Sequence, residues 1–355
     1  MPTIIDAHMH ITQWYSQDGS TVFDRIRRYQ QEGHLAYVDN MCCSNNGDLW
    51  SGYEMDQSIL GAIAKLDNPT VFTHGCLYVP KDHSQIPQYD FKSQLEELME
   101  LGLDGVKICE FKPDAYKLLG VDTLQKEYDE YIGYCERYGV HMCWHVADPI
   151  DNWDPAKVSD YARKVGWFYG DGGHPSFDDF INMTYRLLDA HPHLNVTLAH
   201  AFFKSFAPEE TEALLQKYPH VTIDLAPGWG MFDGFGAHYD TWRRLFSDYA
   251  DRFLFATDAT MSVAGDYVAS LAHHVWRFLT TEDTFTVPGN HTAHGIALEQ
   301  DRLDKIAYEN HQRLVGEQPK PINKPALKRY INRYLPLMKD SRNKQMIEAY
   351  ARKNL

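Results

Sequence analysis

Residues 3–11 read TIIDAHMHI, an apolar run that hands over to two histidines, His8 and His10, with only Met9 between them. On a strand, positions i and i+2 project to one face, so the two imidazoles are presented together as a chelating pair. A His-x-His alone is equally satisfied by two hydrogen-bonded or surface histidines, so its meaning depends on the rest of the chain. Seven further runs of the same kind follow: LAYVDNMCC (35–43), TVFTHGCLYV (70–79), DGVKICEF (104–111), GVHMCWHV (139–146), NVTLAHAFF (195–203), VTIDLAP (221–227) and RFLFATDAT (252–260).

Between these runs lie longer amphipathic stretches. They are residues 23–31, 56–66, 91–102, 123–139, 176–191, 208–218, 239–250 and 266–279. Their entries carry helix-start chemistry, with Ser176 three residues before Asp179 and Pro208 followed by Glu209 and Glu210. Gly102, Gly139 and Pro219 mark their ends. Strands that alternate with helices pair in parallel, and eight apolar βα units predict a (β/α)8 TIM barrel. A doubly wound open sheet is the competing α/β arrangement, but no glycine-rich turn follows the first strand. The barrel is expected over residues 1–316, with a C-terminal helical extension over 317–355.

That extension is basic. From Lys320 onward there are ten Lys or Arg against two acidic residues, in a chain whose net charge is −15. Tyr330, Leu335, Leu337 and Met338 supply it with apolar anchors, which predicts a helix lying on the acidic body or on a neighbouring subunit. The acidic balance argues against nucleic acid as a partner. No run of about eighteen apolar residues predicts a membrane span, and the N-terminus lacks the charged and apolar pattern of a secretory signal. Six cysteines without a CxxC spacing argue against a disulfide framework or cysteine–zinc cluster, so a reducing cytoplasm is expected.

In a barrel the C-terminal ends of the strands carry the chemistry. Here those ends hold Asp6, His8 and His10 on strand one, Lys107 and Glu110 on strand four, His145 on strand five, His200 on strand six and Asp258 on strand eight. Each alone has an ordinary structural explanation: a core histidine bonded to a carbonyl for His145, a helix cap for Asp258. Buried singly they would cost several kcal/mol; converging on one mouth, they are satisfied together by a divalent cation. Nitrogen and oxygen donors without thiolate suit Zn, Mn, Fe or Ni.

This order of ligand types resembles the amidohydrolase superfamily. The FATDAT strand, the HPHLNVTLAH approach to strand six and the closing segment LDKIAYENHQRLVG look more narrowly like its amidohydrolase-related branch, which includes aminocarboxymuconate-semialdehyde decarboxylase-like enzymes. The resemblance implies that His8, His10, His145 and Asp258 hold one metal, zinc foremost and manganese as the alternative. Asp258 and His200 would then act as catalytic groups, Asp258 taking a proton from metal-activated water. It also implies a second arrangement, in which carbamylated Lys107 bridges two metals and His200 joins as a ligand; Lys107 equally suits a substrate carboxylate.

The expected activity is hydrolysis of an ester, lactone or amide carbonyl in a small organic acid. The alternatives are non-oxidative decarboxylation of an aromatic or dienoic acid, and a non-catalytic metal-binding barrel. Trp144, Trp153, Trp167, Phe168, Tyr169, Trp229, Phe232 and Phe235 either form a flat pocket or merely cover the mouth. Lys112, Lys204 and Arg163 are further candidates for a substrate carboxylate or are plain surface. A small-molecule substrate is the expected partner, and a homodimer is compatible with the basic tail.

Overall fold

A computed structural model describes residues 3–43, 57–263 and 267–355. Two of the expected helix starts, Asp56 and Asp266, lie outside the described residues. The strands are β1 (Ile5–His10), β2 (Tyr37–Met41), β3 (Val71–Gly75), β4 (Gly105–Phe111), β5 (Met142–Val146), β6 (Val196–Leu198), β7 (Val221–Asp224) and two short pieces of the eighth run, β8 (Phe253–Leu254) and β9 (Ala259–Thr260). They pair in parallel in sequence order, and β9 returns to β1 with Met9 opposite Ala259 and His10 opposite Thr260. Hydrogen bonds from Ala7 N to Phe255 O (2.9 Å) and from Asp258 N to His8 O (2.8 Å) complete the seam. The result is the predicted (β/α)8 barrel.

Helices α1 (Val22–Glu32), α2 (Gln57–Asp67), α3 (Phe91–Leu101), α4 (Pro113–Leu118), α5 (Gln125–Tyr138), α6 (Asp160–Val165), α7 (Phe177–Ala190), α8 (Pro208–Lys217), α9 (Met231–Ala237), α10 (Tyr239–Asp248) and α11 (Tyr267–Thr280) surround the strands. Their entries follow local chemistry. Ser176 and Asp179 form a full capping box at α7, and Asp90 accepts from Ser93 N at α3, each worth about 1 kcal/mol. Gly102 closes α3 at φ +93°, and a Cβ there would sit 2.2 Å from Pro321 O, so both conformation and space require glycine.

The closing segment forms α12 (Gln300–Asp304), a π turn over Lys305–Glu309 and α13 (Asn310–Val315). These elements fasten the interrupted eighth strand. Ile306 O accepts from Phe255 N (2.9 Å), and Asn310 Nδ2 donates to Ala250 O and Phe253 O at 2.8 Å each. Asn310 and Arg313, which donates to Asp251 O, are thus supports of the strand that ends in Asp258.

Two features depart from a simple βα reading. An antiparallel hairpin, β10 (Thr284–Val287) with β11 (His291–His294), follows α11 and lies outside the eight units. The strand interiors also carry a polar chain where apolar residues were expected. His311 and His74 bond the two oxygens of Asp39, His74 meets His141 at 2.7 Å, and His141 meets Thr197, which bonds Thr222. Every member is buried and bonded to the next, which offsets most of the cost of placing it in a core, with His311 Nδ1 the one ring nitrogen left without a partner.

Burial pushes the His141 imidazole well below its ordinary range, with the neighbouring His74 adding to the shift, so the folded protein keeps it neutral. The unfolded chain protonates it below about pH 6.5. Stability from this group is therefore complete above that pH and falls as pH drops, by up to about 1.4 kcal/mol per unit. We expect the loss of urea midpoint between pH 7.5 and 5.5 to be smaller in His141→Gln than in the parent.

The C-terminal residues form α14 (Lys324–Tyr334) and α15 (Arg342–Asn354). The first packs on α3 and α2, with Leu327, Ile331 and Tyr334 buried and Arg329 paired to Glu100 at 2.6 Å. The second returns to the loop after β1, where Asn343 accepts from Trp14 N (2.8 Å) and Arg342 lies 3.9 Å above the Tyr15 ring. Exposed ion pairs contribute little; the buried apolar side chains hold these helices down. No helix among the described residues is long and apolar enough to cross a membrane.

Candidate metal centre

The strand order delivers His8 and His10 from β1, Lys107 from β4, His145 from β5, Asp224 from the end of β7 and Asp258 from between β8 and β9 to one mouth. His200 arrives from the turn after β6. One ligand atom each from His8, His200 and Asp258 falls within 4.8 Å of the others. His10 Nε2 stands 2.9 Å from Asp258 Oδ1, and His145 Nδ1 stands 3.0 Å from His200 Nε2. Of the five residues singled out as ligands or catalytic groups, His8, His200 and Asp258 form the inner group, while His10 adjoins it through Asp258 and His145 through His200, so His200 stands nearer the centre than two of the expected ligands.

The far nitrogen of each imidazole is committed elsewhere. His10 Nδ1 meets Met41 O at 2.6 Å, His145 Nε2 meets Ala147 O at 3.0 Å and His200 Nδ1 meets Ala226 O at 3.0 Å. A carbonyl only accepts, so each of these nitrogens carries the proton. His8 Nδ1 likewise donates to Asp224 Oδ2 (2.8 Å). The remaining nitrogens are bare unless the ring is charged, and they point at one another and at Asp258 Oδ1. Burial holds His8 well below the ordinary imidazole range, with Lys107 adding to the effect, and pushes His200 down to about 4, with His145 adding to it. His145 is lowered by burial against the opposing pull of Asp148. His145 Nδ1 and His200 Nε2 thus face each other lone pair to lone pair at 3.0 Å, and a divalent cation held by one of them relieves that opposition. The nearest donor is Lys107 Nζ, 3.1 Å from His8 Nε2.

The backbone is strained at the same place. His200, Ala201, Phe202 and Phe203 have φ between 50° and 59°, and Asp258 has φ 58°. Left-handed geometry costs a non-glycine residue about 1–2 kcal/mol, and such strain gathers at functional sites. Residues 195–203 were read as one strand; instead the strand stops at Leu198 and this turn swings His200 into the mouth. Asp224 holds the turn, its Oδ1 accepting from His200 N (2.8 Å) and Ala226 N (3.1 Å) while Oδ2 takes His8 Nδ1.

Sequence reasoning passed over Asp224, although VTIDLAP shows the same charged exception at the end of an apolar run. Its carboxylate orients two imidazoles at once. Asp224→Asn is expected to weaken metal retention about 10–100-fold while leaving the far-ultraviolet circular dichroism unchanged, measured by competition with a chromogenic chelator.

Other candidates are placed differently. Lys112 is buried between Asp148 and Tyr169, Lys204 pairs with Glu210, and Arg163 donates to Pro155 O at the surface; Lys107 alone of the four cations faces the centre. Trp144 is fully buried against Phe111, and Phe232 and Phe235 pack with Phe278, so these three belong to the core. The ring that does border the site is Phe203, stacked on His200 at 5.2 Å and 5.4 Å from His145. Asp148, also unread in the sequence, lies 3.4 Å from His145 Nε2. The Asp258 side chain keeps 40% of its surface exposed, so the mouth is open.

No protein-family model matches the chain, and no curated protein matches it by sequence. Solved structures do share its fold. An uncharacterised TIM-barrel protein from Bordetella bronchiseptica covers 88% of this chain and 98% of its own, with 13% identity and a TM-score of 0.55. A 2,6-dihydroxybenzoate decarboxylase from Rhizobium covers 89% and 99%, with 16% identity and a TM-score of 0.51. An amidohydrolase from Burkholderia multivorans with bound zinc covers 88% and 99%, with 11% identity and a TM-score of 0.52. At these identities the likeness is one of fold.

Proposed function

We propose that this chain is a metal-dependent enzyme of the amidohydrolase superfamily that hydrolyses an ester, lactone or amide carbonyl in a small organic acid. The observation that carries this reading is the meeting of His8, His10 and His200, each with its far nitrogen tied down, around the carboxylate of Asp258, with His145 set against His200. His8, His10, His145 and Asp258 are the proposed ligands, and their nitrogen and oxygen donors suit zinc, with manganese as the alternative. A cation bound there polarises the substrate carbonyl and acidifies water.

The protein's own groups do the rest. Asp258, partly open to solvent, takes the proton of the attacking water. His200, neutral at pH 7 with its far nitrogen fixed on Ala226 O, accepts that proton or returns it to the leaving group. Lys107 places a positive charge at the floor for the carboxylate of the acid. An open mouth with the Asp258 side chain partly exposed favours this over a barrel that keeps its metal as a closed structural site.

Decarboxylation is the second reading, favoured by the Phe203 ring against His200 and His145, which offers an aromatic substrate a face to lie on, and by the decarboxylase among the structures that share the fold. In that case His200 delivers a proton to carbon as carbon dioxide departs. Lactones, amides and hydroxybenzoates incubated with zinc- or manganese-loaded protein in ¹⁸O-water separate the two. Hydrolysis places the label in the product acid; carbon dioxide release with an unlabelled organic product refutes it for that substrate.

A further inference from the structure

We infer that Cys43 and Cys109 are a reversible dithiol–disulfide couple at the barrel mouth, open to small-molecule disulfides. All six cysteines are free thiols, and five are buried; Cys43, just beyond β2, is the one with partial exposure. Its Sγ lies 2.9 Å from Cys109 Sγ on β4, although 66 residues separate them. A disulfide needs about 2.05 Å between the sulfurs, so closure asks for a movement of under about 1 Å. The pair also touches the centre: Cys43 Sγ is 4.0 Å from His10 Nδ1, and Met41 O, two residues before Cys43, is the acceptor of that same nitrogen.

The exchange balances with a low-molecular-weight disulfide as oxidant. Deprotonated Cys43 Sγ attacks one sulfur of RSSR, the S–S bond breaks, and one RSH is released after protonation. Cys109 Sγ, having lost its proton, then attacks Cys43 Sγ in the mixed disulfide and displaces the second RSH. Two thiols have become one disulfide, with two electrons and two protons carried away as two RSH, and excess thiol runs the steps backwards. The bond would clamp the end of β2 to β4 and draw Met41 O away from His10. That last consequence rests on the metal reading above; the couple itself does not.

The test exposes the folded, full-length protein to excess oxidised glutathione at neutral pH. Free thiols are then trapped by alkylation after unfolding, and the linkages are read by peptide fragmentation. The expected product is a Cys43–Cys109 cross-link with Cys42, Cys76, Cys135 and Cys143 still alkylated, and dithiothreitol restores six thiols. Cys109→Ser is expected to stop at a stable glutathione adduct on Cys43. If that variant does not fold, Cys43→Ser, at the partly exposed position, is expected to take up no glutathione. A lasting adduct on Cys43 in the parent, scrambled pairing, or six unchanged thiols would overturn the proposal. Metal content before and after oxidation reads the link to His10 separately: a fall supports it, and no change with the cross-link formed overturns that link.

Discussion

Asp258→Asn protein is expected to emerge from purification in zinc-supplemented medium with little bound metal and with turnover reduced by more than about 100-fold, beyond the loss typical of a residue that only supports a ligand. The substitution is close to isosteric, and asparagine tolerates the left-handed φ of 58° at this position, so the fold is retained. What disappears is the negative charge that faces His8, His10 and His200. A neutral amide oxygen is a weaker donor to a divalent cation and cannot take a proton from water. Metal analysis beside a circular dichroism spectrum checks the outcome. Full turnover in a metal-stripped Asp258→Asn protein would sink the metal mechanism.

His200→Asn is expected to lower turnover by about 10²–10⁴-fold, the range for losing a positioned acid–base group, while keeping one metal per chain. Asparagine again suits the φ of 59°. Its amide is able to keep the contact to Ala226 O, yet it has no titrating nitrogen to offer where His200 Nε2 stood. Metal stoichiometry is the deciding companion measurement. A fall from two metals to one would assign His200 as a ligand in a centre bridged through Lys107, whose Nζ already lies 3.1 Å from His8 Nε2.

The barrel was legible because each strand is hidden on both faces and reads as an apolar run, and because capping chemistry such as Ser176 with Asp179 survives as a local signal. The site was legible for a related reason: His8, His145, His200 and Asp258 stand out as polar exceptions to those runs. Asp224 carries the same signature and was passed over. The left-handed turn at 200–203 was not readable, since His-Ala-Phe-Phe contains no glycine and nothing in its local propensity opposes a strand; the Asp224 carboxylate and packing impose the turn from outside. Asp148 and Phe203 lie only three residues from His145 and His200, but no strand pattern turns them toward those rings, and the Cys43–Cys109 contact joins residues 66 apart, which no periodicity reports. The buried chain from Asp39 to Thr222 was hidden by the assumption that interior strand positions are apolar, which fails where buried polar groups bond one another.

A divalent cation shared by the imidazoles and Asp258 at the barrel mouth is what the whole mechanism depends on. Anomalous diffraction from crystals of protein loaded with zinc tests it most directly. The expected peak lies at the barrel mouth, about 2.0–2.2 Å from imidazole nitrogens and from an oxygen of Asp258, with His8 still donating to Asp224. A mouth without an anomalous peak in fully metal-loaded crystals, or a peak held by other residues, would contradict it.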